Sequence, residues 1–161
     1  MSGMKLNDLI AHGAIVPHLG SQERDAVIAE LIDALVACGA IGAGVRDEMI
    51  RKVLEREQRG STGFGRGVAV PHVKHTTVTK MVAAIGLSGP GIDFAALDKQ
   101  PVYSVFLLVS PEAKPEEHLQ AMEVIFKNLS KETFRRLLRQ ATSVAEVRTL
   151  LDEADSHSLT T

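Results

Sequence analysis

The apolar run over residues 102–109 (VYSVFLLV) constrains this chain most. It is far too short to cross a membrane as a helix, which takes about 20 residues. It is also apolar at both parities, so it cannot be a strand with one wet face. A run of this kind reads as a central strand covered on both sides. Residues 81–88 repeat the pattern: Met81, Ala83, Ile85 and Leu87 alternate with Val82, Ala84, Gly86 and Ser88, both sets small or apolar. Two doubly covered strands demand a layer on each face, and helical periodicities supply them. Val27, Ile28, Leu31, Ile32, Leu35 and Val36 recur at helical spacing after Ser21, which reads as an N-cap, and Gly39 supplies the stop. A second helix is expected over 47–59, burying Ile50, Val53 and Leu54. Pro115 suits the first position of a third, with Leu119, Met122, Ile125, Phe126 and Leu129 on its buried face. Phe134, Leu137 and Leu138 mark a short helix, and Ser143-Val144-Ala145-Glu146 is a capping box for the last one. A helical turn is expected over 4–10, a short strand over 14–19, and a turn at Gly89-Pro90-Gly91. The expected fold class is α/β, a compact sandwich of a small mixed β-sheet flanked by helices. One domain is expected over 1–155, with a disordered tail at 156–161.

Charge and cysteine content narrow the function classes. The formal net charge is -2, with one tyrosine and no tryptophan, a balance that does not advertise nucleic-acid binding. The lone cysteine, Cys38, excludes an internal disulfide framework or a CxxC metal site. Its ALVACGA context has no cationic neighbours to activate a thiolate and reads as core packing. No charged N-terminal region precedes a long apolar stretch, so the expectation is a cytoplasmic protein without membrane insertion.

The chemistry concentrates in residues 60–75, GSTGFGRGVAVPHVKH. A polar segment dense in glycine (Gly60, Gly63, Gly65, Gly67) feeds a brief strand, Val68-Ala69-Val70, which stops at Pro71-His72. Glycine leaves backbone N–H groups open to close approach. Those groups, with the hydroxyls of Ser61 and Thr62, form an expected anion cradle. Taken alone, His72 reads as a half-buried histidine bonded to backbone. Beside an anion cradle it reads as a nucleophile in phosphoryl chemistry. Arg56, near the end of the preceding helix, has two readings: it satisfies the helix dipole, or it clamps phosphate with its fork. His118 opens a helix, where free N–H groups suit a phosphate. It is functional only if it meets His72, which spacing alone does not decide. His72-x-x-His75 lacks the further Cys/His ligands that zinc requires, so no metal is expected. His18 repeats the Val-Pro-His context without a glycine loop and reads as structural or surface.

Several of these residues also carry a family resemblance. Leu54-Glu55-Arg56-Glu57, Gly60-Ser61-Thr62-Gly63, Gly65, Gly67 and Val68-Ala69-Val70-Pro71-His72 resemble the signature of the enzyme IIA domains of the phosphoenolpyruvate-dependent sugar phosphotransferase system, in the fructose/mannitol/nitrogen-regulatory class. The similarity runs on through residues 94–102 and 105–109 to His118-Leu119, and covers roughly residues 6–153. It implies that His72 is phosphorylated by the carrier HPr or its nitrogen-branch counterpart. It also implies that His118 steadies the phosphoryl group, that Arg56 belongs to the same site, and that no cofactor takes part. The acceptor implied is an enzyme IIB or, in the stand-alone nitrogen-regulatory type, a regulatory target protein whose binding depends on phosphorylation. A third reading is a domain that keeps the fold but is never phosphorylated. Two departures stand out. Val73 replaces the usual glycine after Pro-His, and Arg66 occupies a loop position often filled by asparagine; both are expected near the active face. Thr76 and Thr77 stand where mannitol-type relatives carry a glutamate.

Overall fold

In the computed structural model, which describes residues 4–156, the 102–109 run lies at the middle of the sheet. Six strands form it among the described residues: β1 (Ile10–Val16), β2 (Gly63–Gly65), β3 (Val68–Ala69), β4 (His72–His75), β5 (Val82–Ile92) and β6 (Val102–Pro111). The order is β1-β5-β6-β3-β2, and β4 pairs with β6 further along the edge that β3 occupies. β5 and β6 are antiparallel, whereas β1 runs parallel to β5 and both β3 and β4 run parallel to β6. The sheet is therefore mixed, as expected.

The helices are α1 (Leu6–Leu9), α2 (Arg24–Ala37), α3 (Arg46–Arg59), α4 (Pro115–Leu129), α5 (Glu132–Gln140) and α6 (Val144–Asp155). The two-residue period of the central strands divides the interior into two cores. Ala83, Ile85, Leu87, Phe106 and Leu108 pack with α1, α4, α5 and α6. Val82, Ala84, Val105, Leu107 and Val109 pack with α2 and α3. Burying one large apolar side chain contributes roughly 1.5–3 kcal/mol, so doubly covered strands contribute at every residue. The two ends of the described chain are tied together: Asp155, at the end of α6, accepts the backbone N–H groups of Leu6 (2.8 Å) and Asn7 (2.9 Å).

Several local expectations need correction. Gly89-Pro90-Gly91 is not a turn but part of β5, which continues to Ile92 paired with Val102. The register shifts between Leu87 and Ile92. A bulge there absorbs the prolyl residue and the positive φ of Gly91 (96°), and the Gly91 N–H donates to Ser88 Oγ. Ser21 does not cap α2, which begins three residues later. The intervening backbone is held by the residue just after β5, with Asp93 N–H donating to Gln22 O and Arg24 N–H to Asp93 O. The strand expected over 14–19 begins earlier, at Ile10. Leu119 is 62% exposed, because the inward stripe of α4 runs through His118, Ala121, Ile125 and Asn128–Leu129 instead. Cys38 is exposed at the α2 C-cap rather than packed in the core. At α6, Ser143 Oγ accepts from Glu146 N–H as a capping box requires, but the glutamate reaches one residue further back, to Thr142. Apart from Ser156, the expected tail lies outside the described residues.

Candidate active site

The β4–β6 register settles which histidines can meet. His72 pairs with Leu108, Val73 with Val109, Lys74 with Ser110 and His75 with Pro111. Paired residues point to the same side of a sheet. Leu108 belongs to the core under α4, so His72, Lys74 and Ser110 face α4, whereas Val73 faces the α2–α3 core with Val109. Only the chain over 111–114 separates Ser110 from α4, whose first turn carries His118 inward. His72 and His118 consequently stand with ring centroids 5.4 Å apart at an interplanar angle of 56°. The meeting that sequence spacing left open takes place.

His72 Nδ1 lies 3.0 Å from the carbonyl oxygen of Val70. A carbonyl only accepts, so Nδ1 carries the hydrogen and Nε2 keeps its lone pair. Burial pushes the pKa of His72 below the ordinary histidine value of 6.5; the Val70 bond opposes that shift, and the Arg56 cation reinforces it. His118 is 6% exposed, with Nδ1 2.7 Å from Ser110 Oγ. Burial first, then the charges of His72 and Lys74, bring its pKa down to about 4. At neutral pH the pair is a neutral nucleophile beside a neutral imidazole.

The loop between α3 and His72 is tightly bonded to itself. Arg56, in the last turn of α3, donates Nη1–H to Gly60 O at 2.8 Å, and its charge is felt by His72. The helix-capping reading of this arginine is the one its hydrogen bond shows. Glu57, only 3% exposed, accepts the backbone N–H of Thr62 at 3.1 Å and also its hydroxyl. Ser61 Oγ accepts from Gly63 N–H (3.0 Å) and donates to Phe94 O (3.3 Å). The hydroxyls of Ser61 and Thr62 and the N–H groups of Thr62 and Gly63 therefore have partners within the protein. Gly63 serves close packing, since a Cβ there would lie 2.9 Å from that of Ala96. Gly65 and Gly67 have φ of 118° and 78° around the β2–β3 turn, where side chains are disfavoured.

Glu57 belongs to the quoted signature without a role of its own, and Lys74 and Ser110 carry no role in the sequence pattern. Lys74 alternates with His72 along β4, and Ser110 is a polar residue ending an apolar strand; both signals were present but silent without the register. Val73 is buried in the opposite core and not at the active face. Arg66, in the β2–β3 turn, is likewise remote: β3 pairs at Ser104, four residues along β6 from the partner of His72, about 13 Å of strand. His75 faces away from His72. It bonds Glu48 Oε2 through Nε2 at 2.9 Å and Thr77 through Nδ1, and so joins β4 to α3. His18, exposed, meets Thr142 O at 2.9 Å and is a surface residue, as expected.

Comparison with known proteins agrees with this fold. The family model for the phosphoenolpyruvate-dependent sugar phosphotransferase system, EIIA 2, matches residues 8–154. The fructose-specific EIIABC component of Bacillus subtilis is 31% identical over 94% of this chain, which spans only 24% of that protein's length. A nitrogen regulatory protein of Bradyrhizobium diazoefficiens is 32% identical over 92% of this chain and 95% of its own. The crystal structure of nitrogen regulatory protein IIA-Ntr from Neisseria meningitidis superposes with a TM-score of 0.81 at 27% identity, covering 91% of this chain and 98% of that one. With matched residues spanning both cores and the paired histidines, the chain belongs to the EIIA type 2 family of the phosphotransferase system.

Proposed function

We propose that the protein is a cytoplasmic phosphohistidine carrier, in which His72 Nε2 accepts a phosphoryl group from a phosphohistidine on HPr or an HPr-like donor. The observation that carries this reading is the Val70 carbonyl on His72 Nδ1, which leaves the lone pair to Nε2 on a ring whose centroid is 5.4 Å from that of His118. The Nε2–P bond forms as the donor's N–P bond breaks, and that electron pair returns to the donor's ring. Positive charge developing on the His72 ring is offset by Nδ1–H on the Val70 carbonyl. The transferring group is loose and its charge spreads over three oxygens, so positioned donors and cations carry the catalysis. His118, through Nε2–H, and the cations of Arg56 and Lys74 are those groups. Ser61, Thr62, Gly63, Gly65 and Gly67 support the phosphate site at one remove, by holding the loop on which His72 is mounted.

The phosphoryl group then passes to an enzyme IIB or acts as a signal that changes which regulatory protein is bound. The regulatory reading is favoured by the nitrogen regulatory relative, which this chain matches over nearly its full length. Intact-mass spectrometry at mildly alkaline pH, with phosphoenolpyruvate, enzyme I and HPr, tests the carrier. One acid-labile phosphoryl group on the wild type and none on His72→Ala is the expected result. No mass gain with carriers shown active would mean that the fold serves binding alone.

A further inference from the structure

Arg66, set apart from the histidine pair by the β3–β6 register, belongs to a second constellation. It lines a cleft of about 430 Å³ with Arg135, Arg136 and Arg139 of α5, together with Glu132 and Gln140. None of the four arginines has a carboxylate within ion-pair distance among the described residues, although Glu132 lines the same cleft. Four unpaired cations in one cleft of a chain with net charge -2 are a local reversal of sign. Like charges so gathered repel unless an anion joins them.

Two of the four guanidinium groups are held in place, and the backbone that carries a third is fixed. Arg135 donates Nη1–H to Leu129 O at 2.8 Å, and the Arg139 guanidinium carbon lies 3.6 Å from the Tyr103 ring centroid. Arg66 has φ of 60°, a conformation that disfavours a side chain of its kind, and its backbone N–H is fixed by Asp98 at 3.2 Å. Forked guanidinium groups match phosphoryl oxygens two at a time. The volume falls within the range of about 300–1,000 Å³ typical of small-molecule sites. We propose that this cleft binds a small polyanion bearing at least two phosphoryl groups, at a site separate from the histidine pair. Guanidinium forks gathered around one open cleft of this volume suit a compact ligand better than an extended acidic protein segment.

The test titrates inorganic triphosphate into the ¹⁵N-labelled protein and follows backbone amide shifts. Saturable shifts confined to α5 and the β2–β3 turn are expected, unchanged in His72→Ala and weakening as salt rises. The double variant Arg66→Asn with Arg136→Gln should bind at least about tenfold more weakly. Asparagine tolerates the left-handed conformation, so weaker binding in a folded variant reports the lost cation. No saturable binding to the wild type overturns the proposal, as does equal binding by the double variant. Loss of binding in His72→Ala would place the anion at the histidines instead. Binding of a poly-glutamate peptide but not of triphosphate would assign the cleft to an acidic protein partner and refute the small-ligand claim.

Discussion

Removing the Ser110 hydroxyl tests how the histidine pair is oriented. Ser110 is fully buried, and its Oγ lies 2.7 Å from Nδ1 of His118. If the serine donates that bond, His118 carries its hydrogen on Nε2, the tautomer that serves a phosphoryl oxygen. Ser110→Ala leaves Nδ1 in a dry site without this partner. The unsatisfied nitrogen should cost about 1–3 kcal/mol of stability. The tautomeric preference should relax by about 1 kcal/mol, the net worth of one hydrogen bond, which slows phosphoryl uptake by up to roughly fivefold. Stability is read from urea midpoints, and rate from quenched mass-spectrometric time courses with saturating phosphodonor. The tautomer is read from ¹⁵N shifts of the His118 ring. Slower uptake together with a changed His118 signature is the expected pair. An alanine variant with wild-type rate and unchanged Nε2–H signature would refute the orienting role, whatever its stability.

Three further predictions follow from the same geometry. Glu57→Ala strips the acceptor from both Thr62 groups and should cost about 1.5–3 kcal/mol in urea unfolding. Adding Thr62→Val should then cost much less than it does in the wild type, and full additivity would contradict the pairing. In pH dependence, His118 titrates at about 4 in the fold against 6.5 unfolded, so the unfolded chain binds more protons between those values. Stability should be complete above pH 6.5 and decline as pH falls toward 4, by at most about 1.4 kcal/mol per pH unit from this residue; His118→Asn should flatten that decline, and an unchanged slope would count against it. Gly91→Ala should destabilise by at least about 1–2 kcal/mol from its positive φ alone, with Pro101 Cβ 2.9 Å from the new methyl. Gly89→Ala, with nothing within 4 Å, is the control and should be close to neutral by thermal melt.

The readable parts of the sequence were those governed by local periodicity. The apolar runs gave both central strands because burial on both faces leaves no polar parity to hide them. The five longer helices announced themselves through their stripes and breakers. At Gly89-Pro90-Gly91 the local signal was overruled: turn chemistry was absorbed into a bulge because pairing of Ile92 with Val102 extends the strand. His72 was legible from the loop in front of it. Its relation to His118 was not, since 45 residues of chain lie between them and only the β4–β6 register brings them together. The same register explains why Lys74 and Ser110 escaped notice. In the loop itself, the partners of Ser61 and Thr62 were not legible: their side chains bond the protein's own Phe94 and Glu57, which no local pattern announces.

The central claim is that the fold presents one nitrogen, Nε2 of His72, to an incoming phosphoryl group. Its most direct test is ³¹P and ¹⁵N NMR of the histidine-labelled protein after phosphorylation by phosphoenolpyruvate, enzyme I and HPr. Phosphorus coupled to Nε2 of His72, with Nδ1 still protonated toward Val70, is the predicted result. Phosphorus on Nδ1, or on His118, would contradict the account.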